Sequence, residues 1–506
     1  MIGLALGAIT PITTPTVDWL GLAPIIALGG AAVAIVMARA LLRRRPIITA
    51  VCLAIGLLGI ALAAVFEYRL WYLVKANGAI TTVAGMVRVD PFGIFLSVVV
   101  LVATVYALLI SVSYLKREGL DAPEYLALLL LSAAGMLAII TANDFISIFV
   151  ALELLSIPLY VLSAFDRNRL ASQEAGLKYF ILGAFSSAVF LYGVALTYGA
   201  TGSTSLTGIS DFLSSNILFE QGTLLAGMAL VLVGLGFKVA AVPFHFWTPD
   251  VYEGAPTPVT AFMSAATKTA AFAVLIRVFT IAFPLYRTDW RPVVWALAVL
   301  TLVVGSVAAL VQTDVKRILA YSAIAHAGYI LIGFQTGTVR GREAAMLYLF
   351  IYTFMAIGTF AVIMIASLTG DDRHSLDDYR GFALRRPVLG GLLIFFLLAQ
   401  AGIPLTGGFI AKLEIFAAAA AANNYSLLVI GVIVAVVAMF FYLRIALALV
   451  TDPARDAATS EDPSVADQPL DRWSGVVIAT AAFVVLAMGI VPGPVIDWVR
   501  EAASFV

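Results

Sequence analysis

Apolar residues run along this chain in long, nearly uninterrupted blocks. They show neither the alternation of a half-buried strand nor the three-to-four spacing of a surface helix. A block of about 20 apolar residues is the length that spans a bilayer as a helix. Such runs occur near 20–41, 47–66, 92–114, 125–141, 145–164, 176–200, 223–247, 258–283, 292–311, 317–335, 344–368, 388–421, 426–450 and 473–496. The pattern predicts an all-α membrane protein of about 14 transmembrane helices. The run at 388–421 is too long for one simple span and contains AGIPLTGGF (401–409). Its glycines and proline predict a helix broken inside the membrane. The seventh run carries a similar interruption at Pro243, just before HFWTPD.

Helices 7 and 12 stand an odd number of spans apart and therefore run in opposite directions. This order predicts two inverted five-helix repeats, helices 4–8 and 9–13, on a plan recurrent among transporters. No residue-level repeat is evident, so the expectation rests on helix order and the breaks. It divides the chain into 1–124 (helices 1–3), 125–285 (first repeat), 286–450 (second repeat) and 451–506 (a polar loop and helix 14). The loop TDPARDAATSEDPSVADQPLDR (451–472) reads as a solvated linker.

Charge then orients the chain. With the N-terminus outside, the inner loops carry fifteen arginines and lysines, among them Arg43, Arg44, Arg45, Lys116, Arg455 and Arg472, against eight outside. The positive-inside rule and an even helix number place both termini outside. The N-terminal segment lacks the positive n-region of a secretory signal and reads as part of the mature protein. Only 12% of residues are charged, the formal net charge is zero and mean hydropathy is +1.03. Soluble domains carry about 25% charged residues, so this surface faces lipid, and nothing points to nucleic acid. Cys52 is the single cysteine. With no CxxC, HExxH, Walker or strand-linked GxGxxG motif, the chain offers no metal, nucleotide or redox cofactor of its own.

The chemistry lies in charges placed where charge is costly. Of seven lysines, Lys75, Lys116 and Lys316 read as loop residues, while Lys178, Lys238, Lys268 and Lys412 fall within apolar runs. A charge at a helix centre costs about 2.5–3.5 kcal/mol on insertion scales. Glu153 sits amid FISIFVALELLSIPLYVLSA with Ser156, Tyr160 and Ser163 on its helix face. It reads either as half of a structural ion pair or as a carboxylate that gates protons. Lys238 precedes Pro243 by five residues, where the lost backbone donor admits water. Desolvation and a nearby carboxylate act on such an ammonium in opposite senses. Lys268 crowns a polar stripe with Thr260, Ser264 and Thr267, and Lys412 follows the break in helix 12. Lys178 lies near a helix end, where snorkelling competes with function. His326, sharing a face with Ser322 and Tyr329, is able to accept and donate a proton at once, though it also reads as a satisfied packing residue. His245 reads mainly as a hydrogen-bonding partner of the Pro243 loop. Arg277 and Arg444 read as snorkelling residues.

These segments resemble the antiporter-like subunits of respiratory complex I and of multi-subunit cation/proton antiporters. That family carries a glutamate in helix 5, a lysine in helix 7, a lysine or histidine in helix 8 and a charged residue in helix 12. Glu153, Lys238, Lys268 and Lys412 match those positions. PFHFWTPDVYEGAPTPVTAFMSAATKTAAF (243–272) is close to the family's helix 7–8 signature. YFILGAFSSAVFLYG (179–193) and LTGGFIAKLEIF (405–416) are similar to its subunit-N branch. The likeness is strong over roughly 90–450.

The resemblance implies a subunit of a bacterial cell membrane that moves protons through Glu153, Lys238, Lys268, His326 and Lys412, driven by quinone reduction elsewhere in the complex. It implies no cofactor in this chain, with NADH, FMN, iron–sulfur clusters and quinone in other subunits. The implied partners are lipids, subunits M, K and J, and the lateral helix of subunit L. Two other readings stand beside it. One is a subunit of a sodium/proton antiporter complex. The other is a membrane scaffold whose buried ions are structural only.

Overall fold

The computed structural model describes residues 16–42, 48–120, 122–217, 221–367, 370–451 and 470–504. Arg43, Arg44, Arg45 and Arg455, most of the polar loop 451–472 and the first fifteen residues lie outside them. The chain opens with α1 (Trp19–Leu42) and α2 (Ile48–Asn77), then a hairpin of β1 (Ile80–Thr82) and β2 (Val87–Val89). It continues through α3 (Pro91–Arg117), α4 (Pro123–Thr141), α5 (Phe145–Ser163), α6 (Leu170–Thr201) and the short α7 (Leu206–Ser215). The seventh span consists of α8 (Gly222–Val239) and α9 (Trp247–Gly254). The eighth joins α10 (Thr257–Phe262) to α11 (Lys268–Ile281) through a π-helical turn at Met263–Thr267. Next come α12 (Arg287–Val311), α13 (Val315–Gln335) and α14 (Val339–Ala366), then a 3-10 turn at Leu376–Tyr379 and the four-residue α15 (Phe382–Arg385). The last elements are α16 (Pro387–Ala401), α17 (Gly407–Ala421), α18 (Tyr425–Val450), α19 (Arg472–Ile490) and α20 (Gly493–Ala503).

Among the described residues, 13 helices are long and apolar enough to cross a membrane, counting α10 through α11 as one. The end-to-end pair α16 and α17 supplies the remaining predicted span, and both predicted breaks are present. The second span runs beyond its apolar run because Glu67, which ends the run in the sequence, is buried within α2. The eighth span is buried over its whole apolar stretch and α13 over nearly all of it, whereas α1, α2, α6, α18 and α19 are mostly open on their outer faces. The centre of the molecule is therefore a helix that carries a lysine.

Local chemistry fixes the helix starts. Asp90, Asp144 and Asp314 each accept a backbone N–H from the first turn of the helix that follows, satisfying donors that a helix start leaves open. The same residues expose a repeat that the sequence conceals. Asp144 bridges Ser205, and Asp314 bridges Ser375. Gly135 packs against the backbone of Leu155, and Gly305 against that of Ala325. Each pair maps onto the other by the same shift along the chain. The two halves thus share a stitch between the start of their second span and the segment after their third. Few side chains are common to both, which is why the halves look unrelated as strings.

Two charged residues depart from their sequence reading. Lys316 is no loop residue: it lies in the first turn of α13 and is fully buried. Arg277 does not snorkel. It is fully buried and forms a bidentate pair with Asp90, both contacts at 2.8 Å, with Phe92 against its guanidinium. Planar two-point pairing of this kind suits arginine rather than lysine. Arg444 is partly buried and donates to the carbonyl of Leu310.

Candidate functional site

The seventh span stops at Val239, followed by Ala240 in the left-handed region at φ 61° and a cis Val242–Pro243 peptide. This leaves Lys238 in the last turn of α8, where a helix C-terminus favours a cation. Its ammonium donates to Ser156 Oγ on α5 at 2.7 Å and lies between the rings of Tyr160 and Tyr179, 5.6 and 5.4 Å from their centroids. Glu153, one turn before Ser156, acts electrostatically on Lys238, but the hydrogen bond goes to the serine. One carboxylate oxygen of Glu153 is buried without a hydrogen-bond partner, while the residue as a whole is half-buried. The carboxylate is therefore a neighbour of the lysine rather than its clamp.

The π-helical turn re-aims the next position. A π turn adds a residue to the helix and commonly marks functional sites. Lys268 follows it immediately and donates to the carbonyl of Ala323 on α13, with the Tyr352 ring 5.5 Å away. Three residues on from Ala323, His326 holds Tyr348 on α14 through Nδ1 at 2.7 Å and Tyr442 on α18 through Nε2 at 3.0 Å. Tyr442 is hydrogen-bonded to Ser322, which donates to Gln400 at 3.4 Å, and Gln400 donates to Thr359 at 2.7 Å. Both Lys268 and Lys412 are close enough to His326 to act on it electrostatically.

Lys412 repeats the geometry of Lys238 with a different partner. The first half of the broken helix ends at Ala401, with Gly402 at φ 91°. Lys412 reaches back across the break and donates to the Ala401 carbonyl at 2.7 Å, under the ring of Tyr329 at 5.1 Å. Lys238 thus belongs to the last turn of one half-helix, and the Lys412 ammonium reaches the C-terminal end of another. Lys238, Lys268, His326 and Lys412 are all buried.

Two predicted residues stand elsewhere. Lys178 is partly exposed and bonds Glu174 at 2.6 Å and Asp250 at 2.7 Å. Asp250 also meets Arg317 at 2.9 Å, and Arg317 meets Glu253 at 2.5 Å. The result is a charged lattice joining α6, α9 and α13. His245 is buried in the loop after Pro243, and its Nδ1 lacks a hydrogen-bond partner.

Sequence reading missed Tyr348, Tyr442 and Gln400, whose ordinary polarity gives no signal in an apolar helix. It also missed Glu67, buried on α2 outside both repeats. Asp371, in the loop after α14, is the largest omission. It is fully buried and accepts from Thr257 Oγ1 at 2.6 Å and its N–H at 3.1 Å, Ser367 Oγ at 3.2 Å, Arg169 at 3.2 Å and Tyr114 at 3.3 Å. His374 Nε2 stands at 3.1 Å and Lys316 at 3.8 Å. Burial alone would raise this carboxyl, but Lys316, His374 and Arg169 together hold it well below the usual carboxylate range.

Residues 142–438 match the family described as "NADH:quinone oxidoreductase/Mrp antiporter, TM". The chain belongs to this antiporter-like membrane family. Its relatives include NADH-quinone oxidoreductase subunit N of Mycobacterium bovis, 41% identical over 97% of this chain and 98% of that protein. Subunit N of Trichlorobacter lovleyi is 39% identical over 89% and 90%. Among solved structures, a chain of respiratory complex I from Thermus thermophilus superposes with a TM-score of 0.77 at 34% identity, covering 94% of this chain and 98% of that one. A chain of the Mrp complex from Dietzia shares the fold, with a TM-score of 0.82 at 21% identity and coverage of 96% and 97%. The antiporter-like family match includes Glu153 and every residue of the buried row, Lys238 through Lys412.

Proposed function

We propose that this chain is the proton-translocating subunit N of the membrane arm of an NADH-quinone oxidoreductase. The carrying observation is the buried row Lys238, Lys268, His326 and Lys412, with Glu153 beside its first member. Three ammonium groups buried in an apolar molecule are hard to account for by packing alone. Each has a hydrogen-bond partner but no carboxylate within ion-pair distance among the described residues. The row begins with a lysine whose carboxylate neighbour is not bonded to it, so a change in that spacing alters the balance at Lys238. The proton, or the electrostatic shift alone, then passes toward Lys268, through His326 with its two tyrosine contacts, to Lys412. Lys178 and His245 stay outside this sequence of steps.

In this reading the chain is a non-redox part of the enzyme. NADH, FMN, iron–sulfur clusters and quinone bind in other subunits, and subunits M, K and J and the lateral helix of subunit L are the neighbours. The chain sits in the bacterial cell membrane with both termini outside. The relatives named subunit N favour this over a sodium/proton antiporter subunit.

The test pairs Lys238→Arg with Glu153→Gln in the assembled complex, measuring proton pumping and NADH-driven quinone reduction. Arginine keeps the charge but does not release its proton, and glutamine keeps the size of glutamate without its charge. Pumping is expected to fall by about a hundredfold or more in each variant, the scale typical of lost proton-transfer groups. Normal activity in both would leave the row as structure only.

A further inference from the structure

A cleft of about 740 Å³ opens on the outer wall where α2 and α4 begin and α3 ends. It shares no lining residue with the buried row or with the repeat stitch. Leu53, Leu57, Val112, Leu115 and Leu126 form apolar walls along it. Lys116, Arg472 and Trp473 also line it. Both cations are exposed, and the Arg472 guanidinium lies 4.8 Å from the Trp473 ring centroid. Tryptophan and arginine in this arrangement mark the level where hydrocarbon meets headgroups.

The described acids nearby are committed elsewhere. Glu118 pairs with Arg117 at 2.7 Å and accepts the N–H of Gly370. Asp471 accepts from Ser113 at 2.6 Å and from the N–H of Trp473 at 2.9 Å. Glu124 faces Arg39 at 3.5 Å. Among the described residues no carboxylate forms an ion pair with Lys116 or Arg472. An apolar cleft lined by two cations that no described carboxylate pairs is complementary to an apolar tail with an anionic head.

We propose that this cleft holds an anionic phospholipid, its acyl chain between α2, α3 and α4 and its phosphate against Lys116 and Arg472. Both cations belong to the face predicted to be cytoplasmic, where anionic headgroups attract basic residues. The site does not depend on the proton-transfer reading, since it uses none of those residues.

The experiment uses the assembled complex and phosphatidylglycerol carrying a photoactivatable acyl chain, with the matching phosphatidylcholine as control. Crosslinks are expected in residues 48–57 and 112–126. They should be roughly thirty-fold weaker with phosphatidylcholine, from the attraction that two interfacial cations exert. This wild-type comparison needs no variant. Lys116→Gln with Arg472→Gln, in complex confirmed intact on a native gel, is expected to lose phosphatidylglycerol crosslinking to a similar degree. Ala54→Trp, which fills the slot and keeps both cations, should lose it as well. Excess inorganic phosphate should not compete, because it lacks the tail. Equal labelling by both lipids, labelling elsewhere only, retention in either variant, or displacement by phosphate alone would each overturn the proposal.

Discussion

His326 is the residue on which the second half of the row turns. An imidazole with a hydroxyl on each nitrogen has both of its exchange sites engaged. Tyr442 matters more than Tyr348, because it also joins the histidine to Ser322 and Gln400. Tyr442→Phe keeps the ring and removes that junction. It is expected to lower proton pumping by roughly tenfold, the rate equivalent of one lost hydrogen bond in the path, with the complex intact. Tyr348→Phe, measured in the same assay, should have the smaller effect. The costly charges were legible in the sequence because an ionised group in an apolar run has few explanations. Tyr442 and Tyr348 were not, since a tyrosine fits an apolar helix whether or not its hydroxyl is used. Lys316 misled in the other direction. A lysine at a span's edge normally reaches water, and only the fold reveals Asp371 beneath it.

At the scale of elements, the two breaks place lysines at helix ends that an unbroken helix would not have. Pro243 and the AGIPLTGGF string announced both breaks. The π-helical turn before Lys268 was silent, because MSAAT has nothing that forbids an ordinary helix. Close backbone contact keeps the second break compact. Gly408, at the start of α17, faces the Ala399 carbonyl and Met355 so closely that a Cβ has no room. Gly408→Ala should push α17 from α16 and lengthen the Lys412–Ala401 contact. A loss of about 1–3 kcal/mol is expected from overpacking, read as a lower thermal midpoint of the purified complex. Gly391, within α16, at which a Cβ meets nothing within 4 Å, is the control: Gly391→Ala should not lower the midpoint, since alanine favours a helix interior over glycine. The repeat was legible in helix order and hidden in residues, because only caps and close glycine contacts are shared.

For the whole molecule, Asp371 decides how the halves are joined. It gathers Tyr114, Arg169 and Thr257 from one side and Lys316, Ser367 and His374 from the other. Asp371→Asn leaves Lys316 buried without its counter-charge. Removing one member of such a pair costs about 3–5 kcal/mol, so assembled complex should fall sharply on a native gel. The folded carboxyl is held below its ordinary value of 3.8. Its stabilising contribution is therefore fully present above that value and lost only as pH falls toward the depressed one. Protonation of Asp371 itself should therefore cost thermal stability only below about pH 5, read as an acid-side fall in the midpoint that is present in the wild-type complex and absent from Asp371→Asn. Orientation is tested at the same scale. A cysteine replacing the exposed Gly119, in a chain whose own Cys52 is buried, is expected to react with a membrane-impermeant thiol reagent only from the cytoplasmic side.

The same cluster bears on what can move. Many carriers of inverted design work like a rocker switch, one half tilting against the other about a fixed site. Here the halves are pinned by a charge sealed from water, with the fully buried eighth span as a common axle. Tilting would have to tear that pin out with each cycle. Tied at this point, the two halves form one chassis, and on the proposed reading the travelling parts are a few side chains and their protons.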